Sequence, residues 1–188
     1  KDSPMEELLK KHHSLLEGHF LLSSGKHSNK YVQCARLTED PRVGEAVAKQ
    51  IAEKLAGVEF DTVVGPAMGG ILIGYELARQ TGKRSLFTER QDGEMTLRRG
   101  FTLQPGERVL ICEDVVTTGI SSMETARALE AAGGKVVGIA AIIDRTTGPV
   151  DLPLYAANRA EEEVYDPENC PLCKAGQALV KPGSRGNR

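Results

Sequence analysis

The sequence has no tryptophan, and its large aromatics amount to four phenylalanines and four tyrosines. That leaves too little for the stacking platform with which single-strand nucleic-acid binders hold successive bases. Charge of one sign is lacking too: 24 basic against 26 acidic side chains leave a formal charge of -2. Neither nucleic acid nor an acidic membrane therefore has an electrostatic claim as principal partner. No apolar run approaches the roughly 18 residues of a membrane span, and residues 1–11 carry no apolar core of a secretory leader. Four cysteines in 188 residues do not make a disulfide framework, so the expected setting is a reducing cytoplasm. Two nucleotide-binding signatures are absent as well. There is no Gly-x-x-x-x-Gly-Lys-Ser/Thr, and no Gly-x-Gly-x-x-Gly follows a strand.

What is present is a chain long enough for one domain with a small appendage. Met5, Leu8, Leu9, Leu15 and Leu16 mark an amphipathic helix over residues 4–16, with His12 and His13 as solvated members and Gly18 as its stop. Residues 20–23 and 31–34 read as short strands around a turn-rich segment. Val43, Val47, Ile51 and Leu55 recur every four residues and predict a helix over 41–55. Beyond Phe60 the pattern alternates: strand 61–65, helix 69–81, strand 85–88, helix 121–132, strand 136–143. Such alternation implies βαβ units and a mostly parallel sheet. Ser121 and Glu124 fit a capping box. The segment after Tyr165 is rich in Pro, Gly and Lys, with disorder expected from about Lys181.

One stretch stands out. Residues 109–112 are uncharged, consistent with a strand buried on both faces. Glu113 and Asp114 follow at its end, then Val115, Val116, Thr117, Thr118, Gly119, Ile120 and Ser121, where a helix begins. Carboxylates repel phosphate, so Glu113 and Asp114 suit sugar hydroxyls or a divalent cation, directly or through water. The loop amides and the Thr118 and Ser121 hydroxyls suit a phosphate at a helix N-terminus. A second glycine-rich turn, Gly65-Pro66-Ala67-Met68-Gly69-Gly70, joins a strand to a helix and offers amides to another anion. Residues 89–99 form a polar, charged loop or flexible hairpin that could close over a polyphosphate. Cys170-Pro171-Leu172-Cys173 supplies two of the four ligands zinc requires, and no second cysteine pair accompanies it.

Glu113-Asp114-Val115-Val116-Thr117-Thr118-Gly119 closely resembles the binding motif of the type I phosphoribosyltransferases. The resemblance implies an α/β fold, a mostly parallel twisted sheet flanked by helices with a small N-terminal hood. It also implies the substrate phosphoribosyl pyrophosphate (PRPP), bound through residues 113–121. The acid pair would take the ribose hydroxyls, residues 117–121 the 5-phosphate, and Ala67, Met68, Gly69 and Gly70 the pyrophosphate. Some relatives carry lysine where this chain has Gly69. Residues 90–99 would be the catalytic loop that reaches the partner's site in a homodimer, with Arg90 its principal cation and Arg98 and Arg99 weaker candidates. Mg²⁺ would be the cofactor, held mainly by PRPP, with no direct protein ligand and at most water-mediated contact to Glu113 or Asp114.

Three features resemble the orotate members in particular. They are the segment 16–28 with Gly18, Phe20, Leu22, Ser24, Gly25 and Ser28, the Glu-Asp-Val-Val-Thr-Thr-Gly motif itself, and Arg145 after the last apolar strand. The resemblance gives orotate to Arg145, Thr117, Tyr31 and Lys26; a guanidinium can pair bidentately with its carboxylate or imide edge. Relatives often have a basic residue at Ser23, for which Lys26 or Lys30 could substitute. The expected division is a hood over residues 1–40, a core over 41–165 and a partly disordered tail over 166–188. The expected activity is transfer of phosphoribosyl from PRPP to orotate in pyrimidine biosynthesis. The alternatives are a purine-type phosphoribosyltransferase and a non-catalytic PRPP sensor.

Overall fold

The computed structural model describes residues 4–22, 24–160 and 163–182. Its contacts divide the chain into two units, one of residues 1–37 with 161–188 and one of residues 38–160.

The larger unit is built on a six-stranded sheet: β3 (Thr62–Pro66), β4 (Arg84–Gln91), β5 (Glu94–Leu97), β6 (Arg108–Val116), β7 (Lys135–Asp144) and β8 (Leu154–Arg159). The spatial order is β5-β4-β3-β6-β7-β8, and every pairing is parallel except the edge hairpin β4–β5. The apolar runs are continuous rather than alternating because both faces are covered. Val109 and Ile111 pack with Ala126 and Leu129 of α5 (Ile120–Ala131). On the other face, Cys112 lies against α4 (Gly69–Thr81), beside which α3 (Pro41–Lys54) packs. Leu110, Ile111, Ile139, Ile142 and Ile143 lose essentially all their solvent exposure. Each such aliphatic side chain contributes about 1.5–3 kcal/mol, which makes β6 and β7 the rigid centre of this unit.

The helix starts and stops follow local chemistry. Asp40 caps α3 by accepting from the Arg42 amide at 3.0 Å, with Pro41 in the first turn. Gly82 ends α4 in the left-handed conformation. Helix α5, however, has no capping box. Its cap is Gly119, and Glu124 pairs instead with Arg90 at 2.8 Å. Of the loop or flexible hairpin read at 90–99, the structure shows the hairpin: β4 runs on to Gln91 and turns through Asp92-Gly93 into β5. Its charge suits the position of β5 at the sheet edge. Strand β8 has no counterpart in the sequence reading, since its burial is intermediate and its pattern weak.

The smaller unit begins with α1 (Pro4–Lys11), shorter than its periodicity suggested. Leu15 and Leu16 leave the helix for β1 (Leu15–Leu21), where Gly18 is a strand residue rather than a stop. Strand β2 (His27–Val32) pairs antiparallel with β1, and Cys34 opens α2 (Cys34–Thr38) instead of ending a strand. Residues 163–180 contain regular structure. Strand β9 (Val164–Tyr165) adds to β2, a 3-10 turn covers Pro167–Asn169, and α6 (Pro171–Lys174) follows. Val180 then bonds β1 on its other edge, its amide donating to the His19 carbonyl at 2.9 Å and its carbonyl accepting from the Leu21 amide at 2.8 Å. Lys181 and Pro182 carry no regular structure. The disorder expected beyond them, and Ser23, lie outside the described residues.

Candidate active site

Two strand-to-helix loops leave neighbouring parallel strands at the same end of the sheet, the place where open α/β sheets bind ligands. The first joins β3 to α4 through residues 67–68 and contains a cis peptide between Ala67 and Met68. It is pinned from β4, whose Thr88 carbonyl accepts from the Ala67 amide at 2.7 Å. The second joins β6 to α5 through residues 117–119. Gly119 takes a φ of 79°, a conformation L side chains rarely adopt. It turns the chain so that α5 starts at once, and the Thr118 hydroxyl accepts from the Ile120 amide at 3.4 Å.

Strand alternation separates the two acids. Asp114 shares the Cys112 face and points to the start of α4. A Cβ on Gly69 would collide with its carboxylate. Glu113 shares the Ile111 face and points to α5, where its Oε1 accepts from the Ser122 hydroxyl at 3.2 Å and, at 3.5 Å, from Ser121. Glu113 is buried and Asp114 half-buried. Burial, reinforced by the Asp114 charge, pushes the Glu113 carboxyl up from 4.5 to about 7, against the pull of the two serine hydroxyls. Burial also raises Asp114, against the stabilising 2.7 Å bond from the Val115 amide. Ser122 carried no signal of its own in the sequence; its neighbour Ser121 read as the loop's last donor.

The geometry therefore presents two raised-pKa carboxylates between two helix N-termini. Residues 35–158 match the phosphoribosyl transferase domain family. The chain is 49% identical over 200 residues to the orotate phosphoribosyltransferase of a Nitratiruptor species, covering 97% of this chain and 99% of that one. This chain belongs to the phosphoribosyltransferase family.

Solved structures agree. Orotate phosphoribosyltransferase from Aeropyrum pernix superposes with a TM-score of 0.70 at 26% identity, over 82% of this chain and 93% of that one. Leishmania donovani UMP synthase gives a TM-score of 0.71 at 26% identity, over 81% of this chain. This chain spans 35% of that longer protein. The type I fold expected of a phosphoribosyltransferase is thus the fold observed.

The remaining phosphoribosyltransferase candidates fall in both units. In the larger unit, Arg145 follows the end of β7, and its amide donates to the Val116 carbonyl at 2.8 Å, beside the loop after β6. Its neighbour Asp144 accepts from the Thr146 amide at 2.8 Å and from Arg159 at 3.1 Å, which fixes the backbone there. Arg90 is held by Glu124 and, at 2.9 Å, by the Gly93 carbonyl. Arg98 and Arg99 both pair with Glu89. In the smaller unit, Tyr31 lies in β2 and Lys26 in the β1–β2 turn, 3.7 Å from Asp166. Lys30 pairs with Glu6 at 2.9 Å.

No helix among the described residues is long and apolar enough to cross a membrane.

Proposed function

We propose that the chain transfers the phosphoribosyl group of PRPP to orotate, giving orotidine 5'-phosphate and pyrophosphate, a step of pyrimidine biosynthesis. The observation that carries this is the abutment of Asp114 on Gly69. It brings a hydroxyl-binding carboxylate against the amide-rich loop suited to pyrophosphate, so one donor molecule can engage both. Residues 117–121 take the 5-phosphate at the start of α5, and residues 67–70 the pyrophosphate at the start of α4. With glycine at position 69 beside Asp114, main-chain donors and the substrate's own cation take the place of a lysine.

Mg²⁺ suits this donor set, which is oxygen-only and anionic. Glu113 and Asp114 would hold it through water beside the ribose, and it would supply charge neutralisation to the pyrophosphate. As the C1–pyrophosphate oxygen bond breaks, the sugar gains oxocarbenium character and the orotate ring nitrogen forms the new bond to C1, its N–H proton passing to the departing pyrophosphate or to water. Arg90 stabilises the departing charge. Its partner Glu124 holds it by an exposed ion pair, weak enough to exchange. Arg145, with Thr117, holds orotate, so catalysis is positioning and electrostatics without a covalent nucleophile.

Self-association as a homodimer fits the surface near the first loop. Met68 is 85% exposed, and Leu72 and Tyr75 project from α4 at 63% and 64%. These are apolar groups that a second copy would cover. In such a dimer Arg90 of one chain would serve the other's site. The buried Cys112 thiol, outside any disulfide, suits a cytoplasmic setting.

The test is product analysis with PRPP and Mg²⁺ against orotate, adenine, hypoxanthine and uracil in parallel. Orotidine 5'-phosphate from orotate alone is expected. A purine nucleotide in its place would overturn the assignment. Binding of PRPP with no product from any base would favour a sensor.

A further inference from the structure

The Cys170-x-x-Cys173 pair has partners that spacing along the sequence did not reveal. Four ligand atoms, from His19, His27, Cys170 and Cys173, all lie within 4.8 Å of one another. Cys170 Sγ is 3.5 Å from His19 Nε2, while Cys173 Sγ is 3.6 Å from His19 Nε2 and 3.4 Å from His27 Nδ1. The two ring nitrogens are 3.0 Å apart. A tetrahedron with Zn–S near 2.3 Å and Zn–N near 2.05 Å requires sulfur–nitrogen edges of about 3.6 Å and a nitrogen–nitrogen edge of about 3.3 Å. These four of the six edges come within a few tenths of an ångström of those lengths, and the other two are no longer than 4.8 Å.

Hydrogen bonding sets the required tautomer. His19 Nδ1 lies 2.8 Å from the Gln177 carbonyl, which can only accept. Nδ1 therefore carries the proton, and Nε2 turns a lone pair toward the two sulfurs and His27. A carbonyl behind a ligating imidazole is the usual outer support of a metal-bound histidine. The backbone brings the rings together: Leu21 pairs with His27 across the β1–β2 ladder, and His19, two residues back at the register shift between Glu17 and Phe20, lies with its Nε2 3.0 Å from His27 Nδ1. His19, His27 and Cys170 are buried, and Cys173 closes the rim. Two thiolates and two neutral imidazoles balance a divalent cation, so the filled site is neutral, as burial demands.

We propose that His19 Nε2, His27 Nδ1, Cys170 Sγ and Cys173 Sγ form a structural Zn²⁺ site that fastens the C-terminal segment to the β1–β2 hairpin. Two sulfurs and two nitrogens in this arrangement select zinc among common divalent ions. With four protein ligands no coordination position is left for substrate, which makes the ion structural. The tie joins residues about 150 positions apart, so it restricts the unfolded chain strongly. It is chemically separate from the oxygen donors Glu113 and Asp114.

Metal analysis of the whole chain, purified after expression with added zinc and dialysed without chelator, is the direct test. One zinc per chain is expected, together with thiolate-to-cobalt charge transfer and tetrahedral d–d bands when Co²⁺ replaces it. Cys170→Ser with Cys173→Ser should abolish both signals and lower Tm by on the order of 10 °C. If that double variant does not fold, the wild-type stoichiometry and cobalt spectrum still decide. No metal above the buffer blank after refolding with Zn²⁺, or a Cys170–Cys173 disulfide in the freshly isolated protein, would overturn the site.

Discussion

The Asp114 carboxylate occupies the space a Cβ on Gly69 would need. The loop before α4 and the acid at the end of β6 thereby approach closely, and any side chain at position 69 has to displace the carboxylate. Gly69→Ala should displace Asp114 and raise the KM for PRPP roughly tenfold, with a smaller change in the KM for orotate. Steady-state kinetics with each substrate varied in turn would show it. An equal rise for both would place the damage elsewhere.

Glu113 gives a pH signature. Its folded pKa, about 7, lies above the ordinary 4.5. Below pH 4.5 it is protonated whether the chain is folded or not. Between the two values the unfolded chain releases the proton and the folded one keeps it. Its contribution is therefore full below 4.5 and lost as pH rises through about 7, at most about 3 kcal/mol in all. Glu113→Gln should flatten the fall in Tm over that window, measured as the difference between ligand-free wild type and variant.

Arg90 and Glu124 separate structure from chemistry. Their ion pair is exposed and should contribute about 1 kcal/mol or less. Glu124→Gln should leave Tm nearly unchanged and kcat undiminished, whereas Arg90→Ala should lower kcat by tenfold or more through lost stabilisation of the leaving charge. A kcat loss in Glu124→Gln as large as in Arg90→Ala would show that the pair itself matters.

Arg145 should govern the acceptor. Arg145→Ala is expected to lose orotate affinity by about 2–4 kcal/mol, as when one partner of a hydrogen-bonded charge pair is removed. PRPP affinity should hold. Calorimetric titration with each ligand separates the two, and loss of both would contradict the role.

Much of this was legible in the sequence, for reasons that differ by element. The runs at 109–112 and 136–143 announced a doubly covered sheet because their side chains face apolar neighbours on either side. The division of labour between acids and loop followed from charge alone. Opposed directions for Glu113 and Asp114 depended on register, and so did the service of Ser122 to Glu113. Arg90 read as part of a loop or flexible hairpin because its segment is charged and weakly patterned, and Leu15 and Leu16 fitted a helical stripe while belonging to β1. The partners of Cys170 and Cys173 were hidden most deeply. His19 and His27 lie about 150 residues away in sequence, and only the return of the chain along β1 and β2 brings them together.

The most direct measurement is the initial rate of orotate consumption with PRPP varied at saturating orotate and Mg²⁺, wild type against Asp114→Asn. If Asp114 holds the donor's ribose beside the pyrophosphate loop, the neutral variant loses a charged acceptor, and kcat/KM for PRPP falls about tenfold to a hundredfold. Turnover of orotate by Asp114→Asn at the wild-type kcat/KM would contradict it.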